Sequence, residues 1–148
     1  MTMDHEITSI DEFDLMKYLQ NSNDINILIS ASFYGETRIG KYKCRLFFRE
    51  HTKVLAGCFE QVNSPNHAMI LGLLEAVKHI NLHKVNVCII SGIYVGFKSA
   101  AKGKGLYAKE NNRLVDIVEG QGNSISSIVI TDGMNVIKKV INDKYGSV

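Results

Sequence analysis

The run Ile25-Asn26-Ile27-Leu28-Ile29-Ser30-Ala31-Ser32-Phe33 constrains this chain more than any other stretch. It is rich in β-branched and aliphatic residues and does not alternate with charge, which is the pattern of a strand buried on both faces. Such a strand sits in the middle of a sheet and needs a covering layer on each side. The question for the rest of the sequence is whether it supplies the neighbouring strands and the helices.

It supplies both. Before the run, Ser9-Ile10-Asp11-Glu12 has the form of a capping box, and Phe13, Met16 and Leu19 follow at helical spacing. This predicts an N-terminal helix ending near Gln20, broken by Asn21-Ser22-Asn23-Asp24. After it, Lys41 to Phe48 alternates polar with apolar, as a strand with one wet face does, and Val54 to Val62 has strand character across the polar link Arg49-Glu50-His51-Thr52. The three strands form an antiparallel meander. Ser64-Pro65 then opens a helix with Ile70, Leu73, Leu74, Val77 and Ile80 on its apolar side. Val85 to Ile90 is a strand reached through that helix and therefore parallel to the first. Gly92 to Phe97 and Asn111 to Glu119 read as helices, Ser127 to Thr131 as a fifth strand and Met134 to Ile141 as a closing helix. The expected fold is α/β: a five-stranded mixed sheet, three strands antiparallel and two parallel, flanked by helices, with Ile29, Leu74 and Ile89 in the core. Residues 1–24 are expected to form the N-terminal helix and its connection, and residues 25–148 the main domain.

Composition narrows the class. At 148 residues and 45% hydrophobic content the chain suits one domain. Its formal net charge of +2 leaves any attraction to nucleic acid to local clustering. Cys44, Cys58 and Cys88 are odd in number and widely spaced, which argues against a disulfide framework and a zinc site and for a reducing compartment. No run reaches the roughly 18 apolar residues of a membrane span, and the acidic, polar start lacks a signal-peptide core. A cytoplasmic, soluble protein without a membrane partner is expected.

The element order and several local patterns resemble the ribonuclease H superfamily over about residues 25–143. Ile25 to Ser32 is similar to the family's first strand. Asn66-His67-Ala68-Met69-Ile70-Leu71 and Leu74-Glu75-Ala76-Val77 are similar to its first helix, and Ile90-Ser91-Gly92-Ile93-Tyr94-Val95 to the strand end and turn where the family commonly has Thr-Asp-Ser followed by Tyr-Val. The resemblance implies a ribonuclease H-like fold and a cleft for RNA–DNA hybrid. The family cuts the RNA strand with two divalent metals held by four carboxylates, and the positions here that match them are Ser30, Met69, Ser91 and about Asn135. Hydroxyls, a thioether and an amide do not provide the hard anionic oxygens that magnesium needs. No metal or cofactor is expected at these positions, and an inactive domain is favoured over an enzyme. The family's histidine-bearing loop is also missing, since only Asp132-Gly133 separates Thr131 from the last helix.

Other residues offer weaker chemistry. Asp132 lies near the presumed cleft, but a single carboxylate is not a metal site, and Glu36, Glu60 and Glu75 fall on turn, strand and mid-helix positions. Ser30, Ser32 or Ser91 with His67 or His79 would make a nucleophile and base only with an orienting acid, and no Gly-x-Ser-x-Gly elbow is present. His51, His67, His79 and His83 lack metal-ligand spacing. Lys98, Lys102, Lys104 and Lys109, with Tyr107, fall where some ribonuclease H proteins carry a basic handle; flexible lysines beside an aromatic suit phosphate contact, and a solvated connection is the plainer reading. Lys102-Gly103-Lys104-Gly105 is not a P-loop. The functional expectation is a catalytically inactive module that binds RNA, RNA–DNA hybrid or another protein. The alternatives are a nuclease with a relocated metal site and a homo-oligomeric structural protein.

Overall fold

A computed structural model describes residues 6–10, 12–92, 107–131 and 134–142. Its strands are β1 (Glu6–Ile10), β2 (Ile25–Tyr34), β3 (Ile39–Phe48), β4 (His51–Phe59), β5 (Asn86–Ser91) and β6 (Ser124–Thr131). Its helices are α1 (Glu12–Asn21), α2 (Pro65–Val77), α3 (Ala108–Gly120) and α4 (Met134–Asn142). The meander β2–β3–β4 is antiparallel, and β5 and β6 add in parallel on the other side of β2. These five strands form the expected mixed sheet. The expected helix at Gly92 to Phe97 lies outside the described residues, save for Gly92 itself.

β6 and α3 each begin three residues before the sequence reading, at Ser124 and Ala108, and two larger differences concern the sheet. Glu6–Ile10 is a strand, paired parallel with β6, so the sheet has six strands in the order β1-β6-β5-β2-β3-β4. The strand is only five residues long, too short for an alternation to stand out, and partner strand β6 supplies the pairing. β4 begins at His51 and ends at Phe59, three residues earlier at each end than Val54 to Val62. The cause is a tight reversal at Arg49-Glu50, with Arg49 at a positive φ of 55°, which leaves His51 and Thr52 paired with Phe48 and Phe47.

Helices cover both faces, as β2 requires. Ile25, Ile27 and Ile29 of β2 pack with Val87 and Ile89 of β5 beneath Leu73 and Leu74 of α2 and Leu114 and Val118 of α3. Leu28, Cys88 and Ile90 point the other way, onto Leu15 and Leu19 of α1 and Ile137, Val140 and Ile141 of α4. Ile29, Leu74 and Ile89 are all buried, as expected. Ser64 caps α2, its hydroxyl accepting from the His67 amide at 3.1 Å, and Pro65 fills the first helical position.

Around Tyr42 the packing leaves no slack. A Cβ on Gly72 of α2 would lie 2.6 Å from Tyr42 Cγ, and one on Gly57 of β4 would lie 2.5 Å from Cε1. The ring is held between the two backbones and stacks on Phe59 at 5.5 Å. On the opposite face Arg45, 6% exposed, donates from Nε to the Ile141 carbonyl at 3.0 Å and from a terminal nitrogen to Thr52 Oγ1 at 3.1 Å. A guanidinium there meets the negative end of α4.

Gly72→Ala is expected to destabilise the fold by about 1–3 kcal/mol despite alanine's better helix propensity, because the new methyl meets the root of the Tyr42 ring rather than a movable end. Leu74→Ala should cost about 2–5 kcal/mol. Denaturant titration checks both. Burial pushes the Cys44 thiol up to about 12, and Cys88 is buried while Cys58 is exposed. A thiol reagent should therefore modify Cys58 quickly and the other two only on unfolding. The folded chain holds the Cys44 proton up to about 12, above the ordinary 9.0 of a free thiol. This contribution to stability is complete below pH 9.0 and is lost as pH rises from there toward about 12, which melts at graded alkaline pH would show.

Candidate functional site

The matched positions divide between two faces. In the parallel register Ile25 pairs with Val87, Ile27 with Ile89 and Ile29 with Ser91, so Ser91 lies on the face that α2 covers. Met69, in the second turn of α2, is on that face and 1% exposed. The Ser91 hydroxyl donates to Met69 Sδ at 3.0 Å, and Ser91 itself is 0% exposed. The structure thus brings two of the four positions into direct contact. A hydroxyl and a thioether meet there in a dry, apolar setting, and neither carries charge.

Ser30 is not part of that contact. Alternation along β2 turns it to the opposite face with Asn26 and Leu28, where it pairs in register with Lys43 of β3. The β2 residue that shares a face and a register position with Ser91 is Ile29, flanked by half-buried Ala31. Asn135, near the start of α4, is exposed on the Ser30 side of the sheet. The sequence hides this division because β2 is buried on both faces from Ile25 to Ser30, which removes the polar–apolar rhythm that would mark which parity faces α2.

His67 and His79 have partners other than Ser30, Ser32 and Ser91. His67 accepts from the Asn63 amide at Nδ1 (3.1 Å), which places its proton on Nε2, and His79 Nδ1 lies 3.2 Å from Lys53 Nζ. The serine beside His67 is the helix cap Ser64. Among the described residues, no three His, Cys, Asp or Glu side chains gather closely enough to hold a metal ion. Asp132 lies outside the described residues.

Of the basic segment, Lys98, Lys102 and Lys104 also lie outside the described residues. Lys109 is exposed in the first turn of α3. Tyr107, just before α3, is half-buried: its ring stacks on His67 at 5.2 Å and 12°, and its hydroxyl bonds to Ser64 Oγ. The tyrosine is thus a pin that fixes the head of α3 to the head of α2. A groove of about 400 Å³ lies elsewhere, between the β3–β4 turn and the end of α2, with Phe48, His51, Lys53, His79 and Leu82 among its walls. No described helix is long and apolar enough to cross a membrane.

Solved structures with the same architecture include RNase H1 of the halophilic archaeon Halobacterium salinarum NRC-1. It superposes with a TM-score of 0.59 at 7% identity, over 78% of this chain and 89% of the archaeal one. The N-terminal RNase H domain of a Mycobacterium tuberculosis protein, solved as a fusion with maltose-binding protein, gives a TM-score of 0.53 at 10% identity, over 72% and 86%. No family model and no curated protein sequence matches the chain. At such identities the likeness is one of fold.

Ser91→Ala should cost only about 0.5–1.5 kcal/mol, the scale of one hydrogen bond, whereas Met69→Ala should cost about 2–5 kcal/mol because it opens a cavity. Ser91→Asp should be far worse than either, since it forces a carboxylate into a fully buried position. Thermal melts of the three variants would rank them.

Proposed function

We propose that this ribonuclease H-like chain is a catalytically inactive domain that works by binding nucleic acid. The observation that carries the first half is the buried Ser91–Met69 contact, which fills with a neutral pair a place where the resemblance would put two metal-binding carboxylates. Ile29 at the neighbouring register position and exposed Asn135 supply no charge either. Two closely spaced dications need several anionic oxygens, so the chemistry of these side chains does not fit them.

The second half rests on the sequence from Lys98 to Lys109 and on the way Tyr107 anchors its end. Tyr107 is pinned by Ser64 and His67 at the head of α2, and Lys109, two residues on, is exposed in the first turn of α3. Lysine contacts of this kind give weak, largely sequence-independent binding that falls steeply with salt.

Purified protein incubated with labelled RNA–DNA hybrid and magnesium or manganese should leave it intact. Cleavage that disappears with Asp132→Asn would overturn the reading and establish a rebuilt metal site. Replacing Lys102, Lys104 and Lys109 together by alanine should flatten the slope of log affinity against log salt by about 0.7–0.9 per lost contact without altering the melt. Absence of binding to hybrid, duplex and single strands at low salt would remove nucleic acid as the ligand.

A further inference from the structure

One corner of the sheet is covered by no described helix. On the face that α1 and α4 cover, α4 ends over Arg45, and beyond it no described helix lies on the outer part of the β2–β3–β4 meander. There Tyr34 is 51% exposed and Val54 is 42% exposed. Lys41 and Lys43 are exposed between them. The register places all four on one side, because Ser32 pairs with Lys41, Ser30 with Lys43, and Arg45 with both Leu28 and Val54. No strand position on this side of the meander is acidic, and Glu36 and Glu60 belong to the turns beyond the strand ends. Lys41 Nζ sits 5.5 Å from the centre of the Tyr34 ring, and Lys43 Nζ bonds to Asn142 Oδ1 at the end of α4.

An exposed tyrosine on a sheet face, with two lysines on the adjacent strand, offers a ring for a base and cations for the backbone. We propose that this corner, Tyr34 with Lys41 and Lys43, is a platform for single-stranded nucleic acid. It rests on the nucleic-acid reading above but uses none of the residues of the Lys98–Lys109 segment. A single strand is the occupant that fits, because its bases are free to stack on the ring, whereas a duplex keeps its bases within its own stack. A second copy of this chain fits poorly. A two-fold axis through the corner would set Lys41 and Lys43 against the same lysines, with no carboxylate on the strands to receive them. On binding, Lys41 would pass from the tyrosine ring to a phosphate and leave the ring to the base.

The test is fluorescence anisotropy with labelled oligo(dT) and oligo(U) of about twelve nucleotides and a duplex of the same length, at several salt concentrations. Tyr34→Ala should weaken single-strand binding about five- to a hundredfold and leave duplex binding unchanged, since stacking is worth about 1–3 kcal/mol per base. Tyr34→Phe should retain affinity. Lys41→Ala with Lys43→Ala should flatten the salt slope for single strands by about 0.7 per contact. The side chains are exposed, so circular dichroism should report an unchanged fold. Single-strand binding that survives both changes but is lost in the Lys102, Lys104 and Lys109 triple variant would overturn the platform and leave the broader reading standing. A wild type that binds no nucleic acid would overturn both. In that case, dimerisation seen by light scattering and abolished by Tyr34→Ala would assign the corner to a second copy of the chain.

Discussion

Everything in this molecule hangs on a strand that is dry on both sides. β2 is buried without interruption from Ile25 to Ser30, and β5 beside it is buried from Val87 to Ser91. A pair of parallel strands in that state cannot exist at the surface of a small domain, so a helical layer must close each face. α2 and α3 close one, α1 and α4 the other. The parallel pairing itself depends on the α2 crossover, whose cap, proline and apolar side are all local features.

The same constraint shapes the place where the resemblance puts metal chemistry. The end of β5 and the second turn of α2 meet there through Ser91 and Met69, and the contact is continuous with the core rather than a cleft floor. Neutral side chains suit such a place, because buried carboxylates repel one another and lose hydration when no metal holds them. The architecture does not depend on charge at this place, and fold alone does not dictate function.

Polar groups that are buried elsewhere serve assembly. Arg45 reaches from the sheet to the Ile141 carbonyl near the end of α4, and its guanidinium also meets Thr52 and lies 5.9 Å from the centre of the Phe47 ring. Asn123 accepts from the Val85 amide and donates to the Leu82 carbonyl, which fixes the approach to β5 against the approach to β6. Tyr107 does the same for the heads of α2 and α3. Each is a long-range bond made by a residue whose own neighbourhood in sequence reads as surface.

The division between what was legible and what was not follows from the range of the interactions. Local signals were enough for α2, where Ser64 and Pro65 mark the start, and for β3, where lysines alternate with Tyr42, Cys44 and Leu46 and mark a wet face. The isoleucine density of β2 told its central place, and with it the mixed sheet. Pairing partners and face parity were another matter. Glu6–Ile10 is a strand because β6 offers an edge, and no five-residue window carries that information. Ser30 and Ile29 look equally able to face α2 because both sides of β2 are apolar; only the register with β5 places Ile29 beside Ser91 and turns Ser30 toward Lys43. Arg45 continues the wet rhythm of Lys41 and Lys43 in sequence, yet it is buried, because α4, nearly a hundred residues later, ends above it. The sequence by itself determined β2 to β6, the four described helices and their order, since those depend on neighbours along the chain. Tertiary structure alone decided which side chains meet, since that depends on neighbours across the sheet.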